Sequence, residues 1–177
     1  LFFFFFKLSL SGYREIGLEK VLLVEGSTEV KTIQQFLRLY KKDHQIVLLP
    51  LGGSDLIKAD SEGELQEIKR ITDNVFALID SELEDANARL SRDRAAFVET
   101  CQKVGIRCHV LKRRAIENYF PEVAIKSIKG EKYRALGPYE KRENLQLGWS
   151  KSENWRIARE MTLEGLNSTD LGEFLSS

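Results

Sequence analysis

Four short apolar runs, each followed by a polar stretch long enough to hold a helix or a functional loop, constrain this chain more than any other feature. They are Lys20–Val24 (KVLLV), Gln45–Leu49 (QIVLL), Asn74–Ile79 (NVFALI) and Ile106–Leu111 (IRCHVL). The runs are rich in branched residues and short. The first three lack the polar alternation of a strand with one wet face, as expected of strands buried on both sides of a parallel sheet. Between runs the apolar spacing becomes helical: Val30, Ile33, Phe36, Leu37 and Tyr40, then Leu56, Leu65 and Ile68, then Phe97, Val98 and Cys101. Strands alternating with helices predict an α/β fold, a mostly parallel four-stranded sheet flanked by helices. Ser27 or Thr28 is expected to cap the first helix and Ser54 the second, which is expected to be interrupted near Gly63; Gly105 stops the third.

A chain of 177 residues, 42% hydrophobic, suits one domain with a small appendage. Its 27 acidic and 27 basic residues balance, so any attraction to a polyanion has to be local. Cys101 and Cys108 are expected to be ordinary buried thiols of a reducing cytoplasm. With only His44 and His109 beside them, neither a zinc cluster nor a Ser-His-Asp or Cys-His arrangement can be assembled. The run Leu1–Phe6 is far short of the ~20 residues that cross a bilayer, and it lacks the basic leader of a signal peptide. Residues 1–19 are therefore read as an apolar linker or interface to a missing domain, and residues 20–120 as the core. Residues 121–177 are read as a mobile basic loop with a short helix (Lys126–Arg142) and a helical extension whose last amphipathic helix runs from Lys151 to Met161.

The acids fall at informative places. Glu25 and Glu29 follow the first run, Asp80 and Glu82 the third, and Glu117 the fourth. The carboxyl ends of parallel strands share one edge, where ligands bind, so acids distant in sequence are brought to one rim. Crowded carboxylates repel unless a cation neutralises them. Oxygen donors without Cys or His select Mg²⁺ or Mn²⁺ (or Ca²⁺) over zinc. Blander readings exist for each residue alone: Glu29 as a first-turn helix acid, Asp80 as a turn or cap, Glu117 as the partner of Arg113 or Arg114. The conjunction favours a cation site able to orient a phosphate and activate a water.

LLVEGSTEV (Leu22–Val30), Gly52-Gly53, ALIDSEL (Ala77–Leu83) and RRAIENYF (Arg113–Phe120) together resemble the Toprim domain, a Rossmann-like fold. The likeness is greatest to the overcoming-lysogenization-defect (OLD) nucleases and related phage-defence Toprim proteins. It implies a two-metal-ion nuclease hydrolysing DNA or RNA phosphodiesters, with Glu25 as the Toprim glutamate and Glu29 as the second acid. It also implies that Asp80 and Glu82 form the DxD element and that Glu117 is the acid of the ENY motif, with Ser81 a neighbouring ligand or donor. Glu82 stands where the pattern has Asp. A late lysine that steadies the transition state is assigned by position to Lys151, whose bland alternative is a solvated helix start. The resemblance further implies an ABC-type ATPase partner, in the same chain or another, and leaves a homo-oligomer open.

For nucleic acid the expected contacts are Lys112, Arg113, Arg114, Lys129 and Lys132 on the phosphates, with Tyr133, Tyr139 and Trp149 available to stack on bases. The competing reading is a degenerate Toprim module that binds nucleic acid or protein without cutting.

Overall fold

The computed structural model of this chain describes residues 20–53, 57, 61–70 and 72–177. The Phe2–Phe6 run and the expected helix positions Ser54 and Leu56 lie outside the described residues. The sheet has the predicted strands: β1 (Lys20–Val24), β2 (Ile46–Pro50), β3 (Val75–Ile79) and β4 (Arg107–Val110). They run parallel in the order β2-β1-β3-β4, so the chain is an α/β protein with an all-parallel sheet. β1 pairs with β2 in register Lys20 to Ile46, and with β3 in register Val21 to Val75.

Helices α1 (Ser27–Leu39), α2 (Glu62–Lys69) and α3 (Arg92–Lys103) connect the strands. Beyond β4 come a 3-10 turn at Ile116–Tyr119, α4 (Glu122–Lys129), further 3-10 turns at Arg142–Asn144 and Lys151–Glu153, then α5 (Asn154–Arg159), α6 (Leu163–Asn167) and α7 (Asp170–Ser176). None of the described helices is long and apolar enough to cross a membrane.

The continuous apolar runs follow from the two-sided burial. Leu22, Val24 and Leu78 join Ile33, Phe36 and Leu37 of α1 and the later helices in one core. Val21, Leu23, Ala77 and Ile79 point the other way, into a second core with Leu65, Phe97 and Cys101. Successive side chains of a strand face opposite sides, so apolar residues are needed at every position of a strand buried on both.

Several local expectations change. The residue at the α1 N-cap is Gly26, extended and without a side-chain cap, rather than Ser27 or Thr28. The interruption expected near Gly63 falls at Ser61, which is not helical, and Gly63 itself lies in the first turn of α2. The short helix expected in the basic loop is α4, which starts earlier, at Glu122, ends at Lys129 and buries Ala124 and Ile125. The rest is tied down, because Asn118 Nδ2 donates to the carbonyls of Gly137 (2.6 Å) and Glu140 (2.9 Å). Cys101 is buried as expected, while Cys108 is only half-buried.

The last helix is fixed to the sheet by Asp170. Its carboxylate accepts from the Tyr119 hydroxyl (2.7 Å) and the Lys112 amide (2.9 Å), and lies 3.1 Å from His109 Nε2. Gly172 allows α7 to press on the end of α6, since a Cβ there would lie 2.0 Å from the Leu166 carbonyl oxygen. Burial alone would raise the Asp170 pKa, but these hydrogen bonds outweigh it and hold the carboxyl down to about 2. A folded value depressed from 3.8 to about 2 corresponds to about 2 kcal/mol of stability at neutral pH. That contribution is complete above the unfolded value and is lost as pH falls through the folded one. Asp170→Asn is thus expected to lower stability in urea by about 2 kcal/mol at pH 7, with the gap from the parent closing between pH ~4 and ~2. A gap of constant size across that window would refute the assignment.

Candidate functional site

β2 lies on one side of β1 and β3 on the other, so successive connections diverge at the carboxyl ends of β1 and β3. Such a switch point leaves a crevice outside the strand ends, the usual ligand position in open parallel sheets. Glu25 and Asp80 are the first residues past those two ends. The backbone there is closely held: the Gly53 amide donates to the Glu25 carbonyl at 2.6 Å and the Leu51 amide to the Val24 carbonyl at 2.7 Å.

Asp80 is 3% exposed and bonded on three sides. Its amide donates to Glu25 Oε1 (2.8 Å), its carbonyl accepts from Arg94 Nη1 (2.5 Å), and its Oδ1 accepts from the Ile116 amide (3.2 Å). Burial raises its pKa well above the ordinary range, and Glu25, Glu117 and Glu29 push it further against the opposing pull of Lys151. The distances agree: Glu25 bonds the Asp80 amide, the residue before Glu117 bonds the Asp80 carboxylate, and Lys151 lies within 4.0 Å of both Glu117 and Glu29. The acids expected from distant parts of the sequence thus converge on one rim.

Glu29, one turn into α1, is folded back toward the strand end. Thr28 Oγ1 donates to its Oε2 at 3.0 Å. A Cβ on Gly26 would lie 2.9 Å from that same oxygen, so a larger residue between the two acids would make the Glu29 carboxylate shift. Glu117 lies in the Ile116–Tyr119 turn and is 3% exposed. Arg113 and Arg114 are not its partners. Lys151 Nζ is 3.6 Å from Glu117 Oε1 and 4.0 Å from Glu29 Oε1, bridging acids from two elements. Burial disfavours the Lys151 charge, but Glu117, Asp80 and Glu29 outweigh it and raise its pKa. The position-based choice of Lys151 therefore lands on the rim.

Ser81 and Glu82 stand differently. Ser81 Oγ donates to the Arg113 carbonyl (2.9 Å), joining the β3 and β4 loops. Glu82 has left-handed backbone (φ +55°), and its carboxylate is ion-paired with Arg114, whose Nη1 also donates to the Glu82 and Leu83 carbonyls at 2.9 and 3.0 Å. The other expected phosphate contacts divide. Arg113 donates to the Asn118 carbonyl (2.6 Å) over the Tyr119 ring, and Lys129 pairs with Glu153 at 2.8 Å, whereas Lys112 and Lys132 are exposed. Trp149, 5% exposed, packs by Phe120 and donates to Asn154 Oδ1, so it is core rather than a stacking platform.

Two basic residues of the site are unexpected. Arg94, 8% exposed on α3, reaches Glu25 Oε1 at 2.5 Å as well as the Asp80 carbonyl. Burial opposes its charge, but Glu25 and Asp80 keep the pKa raised. Arg142 Nη1 stands 4.0 Å from Glu117 Oε1, and neither buried atom has a hydrogen-bond partner. One polar helix among several charged ones gave no reason to single out Arg94. The only available clue was its place on the helix that follows the Asp80 loop.

Removing one member of a buried ion pair strands the other charge and costs about 3–5 kcal/mol. Arg94→Met is expected to lose about 3 kcal/mol in urea unfolding, and adding Glu25→Gln should restore at least half of it. Additive losses in the double variant would show that the pair does not act as a unit. Comparison of the chain with models of protein families, with curated proteins and with solved structures finds no match, so the geometry of the rim carries the functional argument.

Proposed function

We propose that this domain is a divalent-metal-dependent nuclease of the Toprim kind, hydrolysing phosphodiester bonds of DNA or RNA. The observation that carries the reading is Glu117: a carboxylate 3% exposed whose Oε1 has no hydrogen-bond partner, set beside the buried Asp80. Lys151 and Arg142 approach this oxygen only at ion-pair distance, and a buried acceptor left without a hydrogen bond costs about 1–3 kcal/mol, so a purely structural role explains it poorly. A site designed for a cation explains it directly.

The donor chemistry fits. Glu25, Glu29, Asp80 and Glu117 offer only carboxylate oxygens, suited to Mg²⁺ or Mn²⁺, and are the groups that would hold two such ions. A bound ion of this kind lowers the pKa of an attacking water and offsets charge on the phosphate. The chain's own groups do the rest. Arg94 fixes the Glu25 carboxylate in one rotamer, and the Ile116 amide does the same for Asp80. Lys151, 40% exposed, offers a cation on the open side of the rim, suited to phosphate oxygens as charge builds on them. Glu82 is engaged by Arg114, so its part in holding an ion would require it to leave that pair. An ABC-type ATPase partner, a cytoplasmic location and a role in phage defence follow from the same resemblance.

A second reading, a Toprim module that binds without cutting, is favoured by one observation. No three acidic, His or Cys side chains among the described residues form a ready cation cage, the acids being turned to Arg94, Lys151 and Arg114.

Glu117→Gln separates the two. Cleavage of supercoiled plasmid or total RNA in Mg²⁺ or Mn²⁺, absent in EDTA, is expected for the parent and reduced at least ~100-fold in the variant. The variant should also lose the rise in melting temperature that Mg²⁺ gives the parent, about 2.7 kcal/mol at 100 times Kd. Its metal-free midpoint should stay within a few degrees, since a crowded buried charge is removed. Metal-independent melting in the parent, with nucleic acid bound but uncut, would favour the binding module.

A further inference from the structure

We propose that Arg142 and Lys151 form an oxyanion seat beside Glu117 that takes a backbone phosphate of the substrate, so that the domain grips nucleic acid by phosphate and not by base. The inference rests on the nuclease reading of the same rim. Arg142 opens the 3-10 turn Arg142–Asn144. Its Nη2 is held by Glu143 at 3.0 Å, while Nη1 is buried and has no hydrogen-bond partner. The nearest charge recorded for Nη1 is Glu117 Oε1 at 4.0 Å, beyond hydrogen-bond reach. Two buried atoms of opposite charge that face each other at ion-pair distance without a hydrogen bond mark a place for a ligand that completes the bonding of Nη1.

Their anchors keep them apart. Glu117 hangs from Asp80 through the Ile116 amide, and the segment leading to Arg142 is clasped at Gly137 and Glu140 by Asn118. Beside them opens a cavity of about 140 Å³ lined by the cations Arg114, Arg142 and Lys151 and by the carboxylates of Glu82, Glu117, Glu140 and Glu143. Arg114 is hydrogen-bonded to Glu82 and to the Glu82 and Leu83 carbonyls, whereas Arg142 keeps Nη1 without a hydrogen bond and Lys151 makes only ion-pair approaches to Glu117 and Glu29. A non-bridging phosphate oxygen can accept from Arg142 Nη1 and Lys151 Nζ together, in charge-assisted bonds that suit a guanidinium. Glu117 is then free to face a cation. Ala115 and Leu136 are the apolar residues of the lining, and no aromatic ring among the described residues lines it, so a base finds no stacking partner there. Contacts to phosphate position a strand without reading its sequence.

The test compares the parent with Arg142→Gln and Arg142→Lys. Binding to (dT)12 and (dA)12 is measured across NaCl concentrations, with Ca²⁺ in place of Mg²⁺. Arg142→Gln is expected to weaken both oligonucleotides about tenfold and to flatten the slope of log K against log salt by ~0.7, one lost phosphate contact. Arg142→Lys should fall between. An unchanged slope, or a loss confined to one base, overturns the seat. Inorganic phosphate with Ca²⁺, followed by ³¹P line broadening, provides a nucleic-acid-free arm: at least tenfold weaker binding in Arg142→Gln supports the seat, and equal binding overturns it. Absence of cutting by the parent, with the phosphate difference intact, sinks the nuclease reading and leaves the seat standing. A melting midpoint of Arg142→Gln within two or three degrees of the parent shows that the fold is not what changed.

Discussion

Asp80 is the point on which the rim depends. Its amide, carbonyl and carboxylate each bond a different element: Glu25 after β1, Arg94 on α3, and the Ile116 amide in the turn after β4. Those bonds convert sheet topology into site geometry. Parallel strands deliver their ends to one edge, but only to within the freedom of the loops that follow. Bonds from one short residue to two loops and a helix remove that freedom. The cost is electrostatic, because the node carries a charge that burial and its acidic neighbours both disfavour.

That cost is met by cations, and they differ in kind. Arg94 is buried, bonds Glu25 and the Asp80 carbonyl, and lies in a helix packed in the second core, so it belongs to the permanent structure. Lys151 is 40% exposed and 3.6 Å from Glu117, in ion-pair range with no hydrogen bond made. An exposed ammonium on a flexible stem is worth little as a stabilising contact and is easily displaced. The rim is thus braced on the Glu25 side and yielding on the Glu117 side. A site that must admit both a cation and a phosphate needs that asymmetry.

The sheet was legible because burial on both faces leaves a plain mark, an apolar residue at nearly every strand position. The acids were legible because strand ends share an edge. What escaped notice was whatever depends on side-chain reach. Arg94 is one charge on a polar helix, and only the folded distance tells it from Arg92 or Arg89. The RRAIENYF stretch gave Glu117 correctly as a buried acid but misdirected its pairing, since Arg114 turns to Glu82 and Arg113 to the Asn118 carbonyl. Trp149 looked available for stacking because a tryptophan in a basic, glycine-containing segment carries no periodicity to mark it as core. Capping failed for a similar reason: the α1 entry falls at Gly26, one residue before Ser27, with the Glu29 carboxylate folded over it.

The segment beyond β4 is more than an appendage, since it supplies both cations that face Glu117. Trp149 packs by Phe120 and bonds Asn154, two residues before and three after Lys151. Ile157 and Ala158 of α5 are fully buried in the same core as Ile33 and Phe36 of α1, the helix that bears Glu29. Lys151 is therefore carried to the rim by apolar packing on either side of it, and its charge need not hold it there. Arg142 is brought by backbone carbonyls clasped by Asn118, the neighbour of Glu117. In both cases neutral interactions do the positioning, so the two positive charges, held by ion pairs to Glu117, Glu29 and Glu143, can turn to an incoming anion.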